Sequence, residues 1–243
     1  MKGENSMTEN ELRTKVVSIA EMWLGCKEAN GTHKPIIDLY NTLSPLPVGY
    51  KMTYTDPWCA AFVSAVGIKA GFTDIMPCEC GTGRMIDLYR KIGRWVENDA
   101  HVPQAGDLIL YNWNDDGKGD NMTGSSHVGI VVEVKNGVIK VIEGNMKGGV
   151  VGYRDIEVNG RYIRGFCAPD YASKATASTP APQSAKRYKT IEDVPQYLQA
   201  ETTELVNAGA LKGRGDERGL DITDDMLRCI IIAKRYAEGL QQH

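Results

Sequence analysis

The chain has 243 residues, of which 42% are hydrophobic and 24% are charged, and its formal net charge is −3. This composition is typical of a globular protein, and the length suffices for one well-packed domain and a second, smaller one. Nucleic-acid binders usually concentrate an excess of lysine and arginine, whereas here 28 basic residues are outnumbered by 31 acidic ones. We therefore expect no nucleic-acid partner.

No apolar stretch approaches the roughly 18–20 residues that are needed to span a bilayer. The N-terminal stretch MKGENSMTENELRTK lacks the apolar core of a signal peptide. We therefore expect no membrane insertion, and a protein that is made in the cytoplasm.

The six cysteines are scattered along a chain that is large and apolar enough to be stable without disulfide bonds. We predict that most of them are free thiols. Cys78 and Cys80 are separated by one residue, which is not the usual zinc spacing, and no Cys/His pair at ligand spacing follows. The pattern favours loop or buried thiols over a metal site.

Helix patterns dominate the first part of the chain. Residues 8–24 place apolar side chains on one helical face, with Thr8 or Asn10 as the N-cap. Residues 30–57 are rich in Gly, Pro, Asn and Thr, which predicts a long connection around a short helix at 36–40. Residues 59–70 are apolar and are followed by Gly71, as in a buried helix.

Strand patterns follow a further helix pattern at residues 84–92. The predicted strands cover 108–111, 127–134 and 138–142. An order of helices first and sheet second predicts an α+β fold.

The stretch SKATASTPAPQSAK cannot build a core, and its composition is typical of a linker. We therefore predict a first domain over residues 1–172, a linker over 173–187 and a small helical module over 188–243. The module has helix patterns at 197–208 and 224–236.

Cys59 stands at the head of the predicted apolar helix, directly after Asp56-Pro57-Trp58. The first turn of a helix has unpaired backbone N–H groups and the positive end of the helix dipole, and both stabilise a thiolate. The same N–H groups suit the oxyanion that forms when sulfur attacks a carbonyl. The position favours Cys59 as a nucleophile, and a small buried core thiol is the alternative.

His127 opens an apolar strand, HVGIVV, directly after the polar loop at residues 123–126. A histidine at the start of a strand can face a cleft, so His127 is the predicted general base. His33 and His101 lie in loop-like surroundings and His243 is the last residue. We expect those three to be solvated or locally bonded.

Glu143 and Asn145 follow the next predicted strand. A three-residue hairpin loop at 135–137, or an equivalent bulge, places His127 opposite Asn145 with Glu143 as a diagonal neighbour, all on one face. A two-residue Asn-Gly loop would separate them. We expect the longer loop or the bulge, because a catalytic base needs a polar group that orients it. The alternative is an ordinary strand end with a solvated Glu and a turn Asn.

Four ordered motifs, DPWCAAFVSAVGIKAGF, GDLILY, HVGIVVEV and VIEGN, carry a family resemblance. They resemble the CHAP domain, the cysteine, histidine-dependent amidohydrolase/peptidase family within the papain-like NlpC group. The resemblance covers about residues 10–172. It implies a papain-like fold in which N-terminal helices pack on an antiparallel sheet.

The resemblance also implies a role for each site residue. Cys59 is then the nucleophile, His127 the general base and later acid, Glu143 the orienting carboxylate and Asn145 a further polar partner. The implied reaction cleaves an amide bond of bacterial peptidoglycan through a cysteine thioester. The bond joins muramic acid to L-alanine, as for an N-acetylmuramoyl-L-alanine amidase, or lies within the peptide, as for an endopeptidase.

Some CHAP domains hold calcium in an Asp-rich loop upstream of the cysteine. Here that region offers mainly Asp38 and Asp56, too few carboxylates for a site of six to eight oxygens, and we expect no metal and no cofactor. The loop at 112–121, NWNDDGKGDN, lacks the bidentate Glu of an EF-hand, so we predict a solvated surface loop.

Trp58 and Trp113 are candidate substrate-binding residues, because aromatic faces suit sugars and peptide stems. Core packing is the alternative for Trp58.

Residues 188–239 resemble, more weakly, the wall-attachment modules of phage lysins and one S-layer-homology repeat. Together with the linker, this predicts an endolysin that is made in the host cytoplasm and acts at the cell wall after release, with its module tethered to the wall. Dimerisation and a structural cap are alternatives for the module. For the whole chain, the alternatives are another papain-like thiol enzyme and a non-catalytic wall-binding or structural protein.

Overall fold

The computed structural model describes residues 7–117, 121–176, 187–211 and 220–240. The chain divides into two compact units, Met1–Thr179 and Pro180–His243. Most of the predicted linker falls outside the described residues, so its structure remains a prediction.

The first unit begins with helices. Their bounds are α1 Glu9–Glu21, α2 Lys34–Tyr40, α3 Cys59–Ala70 and α4 Thr82–Lys91. Helix α1 starts at Thr8 in a capping box, in which Thr8 and Glu11 satisfy each other's backbone N–H groups. Helix α3 ends at Gly71, whose φ of 75° is left-handed. These helices lie where the hydrophobic periodicity predicts them.

An antiparallel sheet follows the four helices. Its strands are β1 Trp95–Val96, β2 Leu108–Tyr111, β3 His127–Lys135, β4 Val138–Met146, β5 Val150–Glu157 and β6 Ile163–Cys167. The spatial order is β1-β6-β2-β3-β4-β5, and every pair is antiparallel. A short helix α5, Tyr171–Lys174, follows β6. The α+β prediction is confirmed, whereas β1, β5 and β6 were not predicted.

Helix α3 is the centre of the main core. It is buried on nearly all sides, which explains why its sequence is apolar all round. Its side chains share one apolar cluster with α1, α2, α4 and alternate residues of the sheet, including Val128, Ile130 and Ile142. A second cluster, which includes Tyr111, Val131 and Val141, lies on the opposite face of the sheet. The alternation of β3 and β4 thus divides the sheet into a helix-covered face and an outer face.

The β3–β4 hairpin corrects one expectation. Its loop has two residues, Asn136 and Gly137, both with positive φ, and Lys135 pairs with Val138. The predicted three-residue loop is therefore wrong. The register shifts between Val131 and Glu133, however, so the pairing beyond that point is the one that the equivalent bulge predicts.

The described residues of the second unit form two helices and a small strand pair. Strand β7 (Arg187–Tyr188) pairs with β8 (Ile222–Thr223), and the helices are α6 (Gln196–Asn207) and α7 (Asp224–Leu240). Within the described part of this unit, seven buried apolar residues from Tyr188 to Ile231 form a core. Both helix predictions are confirmed, and the strand pair was not predicted.

Across the described ranges, no helix combines the length and the apolar character that crossing a membrane requires.

Gly144 allows β4 to approach α3 closely. A Cβ at this position would lie 2.5 Å from Phe62 Cβ and 2.8 Å from Trp58 Cζ3. We expect Gly144→Ala to lower the free energy of unfolding by about 1–3 kcal/mol, because packed neighbours must shift. Chemical denaturation measures the loss.

The matched control is Gly83→Ala in α4, where a Cβ would meet nothing within 4 Å. It should leave stability unchanged or raise it by up to about 1 kcal/mol. Equal stabilities of the two variants would contradict the close approach at Gly144.

Candidate active site

Cys59 is the first residue of α3, as predicted. Phe62 N–H donates to Trp58 O at 2.8 Å, and within the described residues no side chain caps the helix start. The N–H groups of Cys59, Ala60 and Ala61 precede this bond and have no partner within the helix. The Cys59 side chain is thus next to a set of donors that suits an anion.

His127 is the first residue of β3 and is 7% exposed. It pairs with Tyr111 on β2, and the two rings stack with centroids 6.0 Å apart. The Cys59 side chain is close enough to the imidazole to raise the pKa of His127. Because Nε2 faces Glu143, the other ring nitrogen, Nδ1, is left for the thiol.

Glu143 Oε2 lies 3.1 Å from His127 Nε2. Both side chains are on the outer face of the sheet, with Gly129 between them. A Cβ on Gly129 would lie 2.7 Å from Glu143 Cγ, so the missing side chain provides the space that Glu143 occupies. The predicted contact between His127 and Glu143 is present, and a glycine makes it sterically possible.

Arg154, on β5, also donates to the Glu143 carboxylate. Its Nε–H donates to Glu143 Oε1 at 2.8 Å and to Oε2 at 3.0 Å. Glu143 is fully buried, and an unpaired buried carboxylate would be strongly unfavourable. Sequence reasoning missed Arg154, because β5 was not predicted.

The pKa values of the buried pair follow from these contacts. Burial lowers the pKa of His127, but the Cys59 and Glu143 side chains outweigh burial and raise it to about 9. Burial raises the pKa of Glu143, and the contacts with His127 and Arg154 outweigh it, so the net pKa is lowered. At neutral pH the site therefore holds an imidazolium next to an ionised Glu143.

Asn145 does not face the imidazole, contrary to the expectation that all three polar residues share a face. Its φ is 55°, and a left-handed residue breaks the alternation of the strand. Its Oδ1 accepts from Trp58 N–H at 3.1 Å, and its Nδ2 donates to Glu28 Oε1 at 3.3 Å. Asn145 is thus brought to the start of α3, beside Cys59.

Trp58 is fully buried, so it does not line a groove, and the core-packing alternative describes it. Its indole N–H donates to Glu28 Oε1 at 2.9 Å. Glu28 therefore joins the residue before the cysteine to Asn145 at the end of β4. Sequence reasoning missed Glu28, which lies in the Gly- and Asn-rich connection after α1, far from every motif.

Comparison with known proteins agrees with this geometry. Residues 49–145 match the model of the CHAP domain. Cys59, His127, Glu143 and Asn145 all lie within the matched residues. No curated protein and no solved structure matches the chain. The match supports a peptidoglycan hydrolase of the cysteine- and histidine-dependent amidohydrolase/peptidase type.

Trp113 lies beside His127, the predicted base. It is 37% exposed, stacks on Tyr111 at 4.6 Å and lies 6.1 Å from the His127 ring centroid. Unlike Trp58, it has a position from which it can touch a bound substrate.

The other histidines have local roles within the described residues. His33 is 3% exposed and its Nε2 donates to Tyr54 O at 2.9 Å, so it is locally bonded, which is one of the two expected outcomes. His101 packs against Phe166 with centroids 5.3 Å apart. His243 lies outside the described residues.

All six cysteines are free, which confirms that prediction. Cys78 and Cys80 flank Glu79, whose Oε1 accepts from the N–H groups of Cys80 and Gly81. In the described ranges, no three His, Cys, Asp or Glu side chains converge as a metal site would require.

The carboxylates upstream of Cys59 do not fit a calcium site. Asp38 accepts from Tyr54 O–H, and Asp56 accepts from Tyr50 O–H and Thr53 N–H. These bonds fold the connection before α3 and leave the two carboxylates in separate networks.

The loop at 112–121 is only partly the solvated loop that was predicted, and its residues 118–120 lie outside the described ranges. Asn112 and Asn121 are buried and bonded to each other at 3.0 Å. They anchor the loop because their amides also bond the backbone at Thr123 and Ile163.

Titration of His127 tests the contacts of its ring with Cys59 and Glu143. Its pKa is raised from 6.5 to about 9, so the stability that its protonation contributes is fully present below about pH 6.5 and is lost as pH rises through 9. We expect an NMR midpoint near 9, and a lower one in Cys59→Ala and in Glu143→Gln, because each removes a contact that favours the imidazolium. Cys26→Ala is the matched control and should leave the midpoint unchanged. The same midpoint in Cys59→Ala and wild type would contradict contact between thiol and ring.

Substitution of Glu28 tests whether its bond with the Trp58 indole stabilises the start of α3. In Glu28→Ala the buried indole N–H of Trp58 loses its acceptor, which costs about 1–3 kcal/mol of folding free energy. Glu28→Gln keeps an amide oxygen and should restore most of the loss. Glu21→Ala, which removes an exposed bond to Tyr153, is the control and should change thermal stability little. A Glu28→Ala variant as stable as wild type would be the contrary result.

Proposed function

We propose that the chain is a cell-wall hydrolase that cleaves an amide bond of peptidoglycan through a Cys59 thioester. The observation that carries this proposal is a His127 ring that Glu143 contacts and whose pKa the Cys59 thiol, at the uncapped start of α3, raises. A thiol, an oriented imidazole and free N–H donors are the parts that acyl transfer requires.

In the first half of the reaction, the Cys59 thiolate attacks the carbonyl carbon of the amide. A C–S bond forms, and the carbonyl oxygen becomes an oxyanion next to the N–H groups at the start of α3. The His127 imidazolium then gives its proton to the amide nitrogen. The C–N bond breaks, an amine leaves, and a thioester on Cys59 remains.

In the second half, neutral His127 takes a proton from water, and the hydroxide attacks the thioester carbon. The C–S bond breaks, and a carboxylic acid leaves while the thiolate and the imidazolium are restored. Glu143 keeps the ring in one orientation through both halves, and Arg154 keeps Glu143 in place.

The fold that we propose for the first unit is papain-like, with the nucleophile on a core helix and the base on an adjacent sheet. The substrate bond is the N-acetylmuramoyl-L-alanine bond of an amidase or a peptide bond of an endopeptidase. Trp113 contacts the substrate in this proposal, because it is exposed and adjacent to His127.

The biological role that we propose is that of a phage endolysin, made in the host cytoplasm and acting at the cell wall after release. A small second unit with its own apolar core supports this role, because a tethered module raises the enzyme concentration at an insoluble wall. The module's ligand in this proposal is a component of the wall.

Replacement of the nucleophile tests the enzymatic function. We expect Cys59→Ala to lower the rate of turbidity loss of a wall suspension by at least about 1000-fold, because the covalent step is lost. Cys26→Ala should lyse walls at the wild-type rate. A Cys59→Ala variant that retains the wild-type effect would contradict the hydrolase and favour a non-catalytic wall-binding protein.

The products of the same digest distinguish the two bonds. Mass spectrometry that finds new N-terminal L-alanine identifies an amidase, and other new termini identify an endopeptidase.

A further inference from the structure

Arg154 has donors that the catalytic residues do not use. A guanidinium has five N–H donors, and Arg154 gives Glu143 only its Nε–H. Among the described residues, neither terminal amino group of Arg154 has a hydrogen-bond partner. The side chain is 32% exposed, so these donors are accessible from solvent. A planar pair of donors matches the geometry of a carboxylate.

Aromatic side chains lie beside the free edge of Arg154, which is the edge that carries its terminal amino groups. The Arg154 guanidinium carbon lies 4.9 Å from the Trp113 ring centroid and 5.7 Å from that of Tyr111. Tyr162 meets Trp113 edge to face at 5.6 Å, and both are 37% exposed. Apolar walls exclude water from one side of a charged hydrogen bond and so strengthen it.

The free edge of Arg154 is also close to the reacting groups. Trp113 contacts both the guanidinium and the His127 ring, so a ligand on Arg154 lies one aromatic ring away from the imidazole. The His127 imidazolium is offset by the ionised Glu143 beside it, so the attraction for an anion comes from the Arg154 guanidinium itself.

We propose that Arg154 binds an ionised carboxylate of the peptide stem near the bond that is cut, with Trp113 and Tyr162 as walls of the subsite. This inference rests on the proposed function, because it assigns a specificity determinant to the same site. Arg154 then has two roles: its Nε–H positions Glu143, and its terminal amino groups bind the carboxylate of the substrate.

The two roles have to be separated in the test, because loss of Arg154 also weakens the support of Glu143. The measurement is therefore a ratio of kcat/KM for two soluble muropeptides, one with free stem carboxylates and one with those carboxylates converted to carboxamides. Any effect on Glu143 applies to both peptides and cancels in the ratio.

We expect wild-type enzyme to prefer the free carboxylates about tenfold, as one charge-assisted contact allows. Arg154→Gln should bring the ratio close to 1, and Arg154→Lys, which keeps a charge without the planar fork, should give an intermediate ratio. Arg94→Gln is the matched control, because Arg94 is an exposed arginine that pairs with Asp170 and precedes β1, at the sheet edge opposite to β5. It should keep the wild-type ratio.

Binding of the same peptides to Cys59→Ala, measured by calorimetry, separates this inference from the proposed function. A preference in binding without cleavage by the wild-type enzyme would overturn the hydrolase and keep the carboxylate subsite. Equal binding of both peptides, or an unchanged ratio in Arg154→Gln, would overturn the subsite even where cleavage occurs.

Discussion

The site depends on the neutralisation of a buried carboxylate. Glu143 has no exposed surface, and burial by itself opposes its ionisation. His127 and Arg154 approach it from two sides, and together they keep it charged. Once Glu143 is charged, it holds the imidazole ring in place and favours its protonated form. The orientation of the proposed base is thus set by charges within the sheet as well as by the strand that carries it.

Cys59, the proposed nucleophile, is held in a different way, by close packing of α3 on β4. Gly144 brings the strand against Phe62 and Trp58, and Glu28 joins the Trp58 indole to Asn145. The thiol is therefore fixed through the core helix, whereas the imidazole is fixed through the outer face of the sheet. Because the two supports belong to one domain, the distance between thiol and ring is determined before a substrate binds.

Local signals were sufficient for the parts of the fold with strong periodicity. The capping box at Thr8 and the left-handed Gly71 mark helix ends that a sequence can predict. The β3–β4 hairpin has a feature that local sequence signals do not predict. The predicted three-residue loop is wrong, because Asn136 and Gly137 form a two-residue turn, and the bulge that carries His127 into register is visible only in the pairing of β3 with β4. Asn145 likewise has a backbone conformation that no spacing rule predicts.

The sequence by itself determined that the chain has an α+β domain, that a cysteine starts its core helix, and that His127 and Glu143 lie on adjacent strands. These features follow from hydrophobic periodicity, turn residues and position within an element, all of which are local. The tertiary structure decided the rest: Trp58 is buried, Asn145 turns to the helix start, and Arg154 and Glu28 join the site. Those contacts join residues far apart in the chain, and only the packing of the folded domain brings them together.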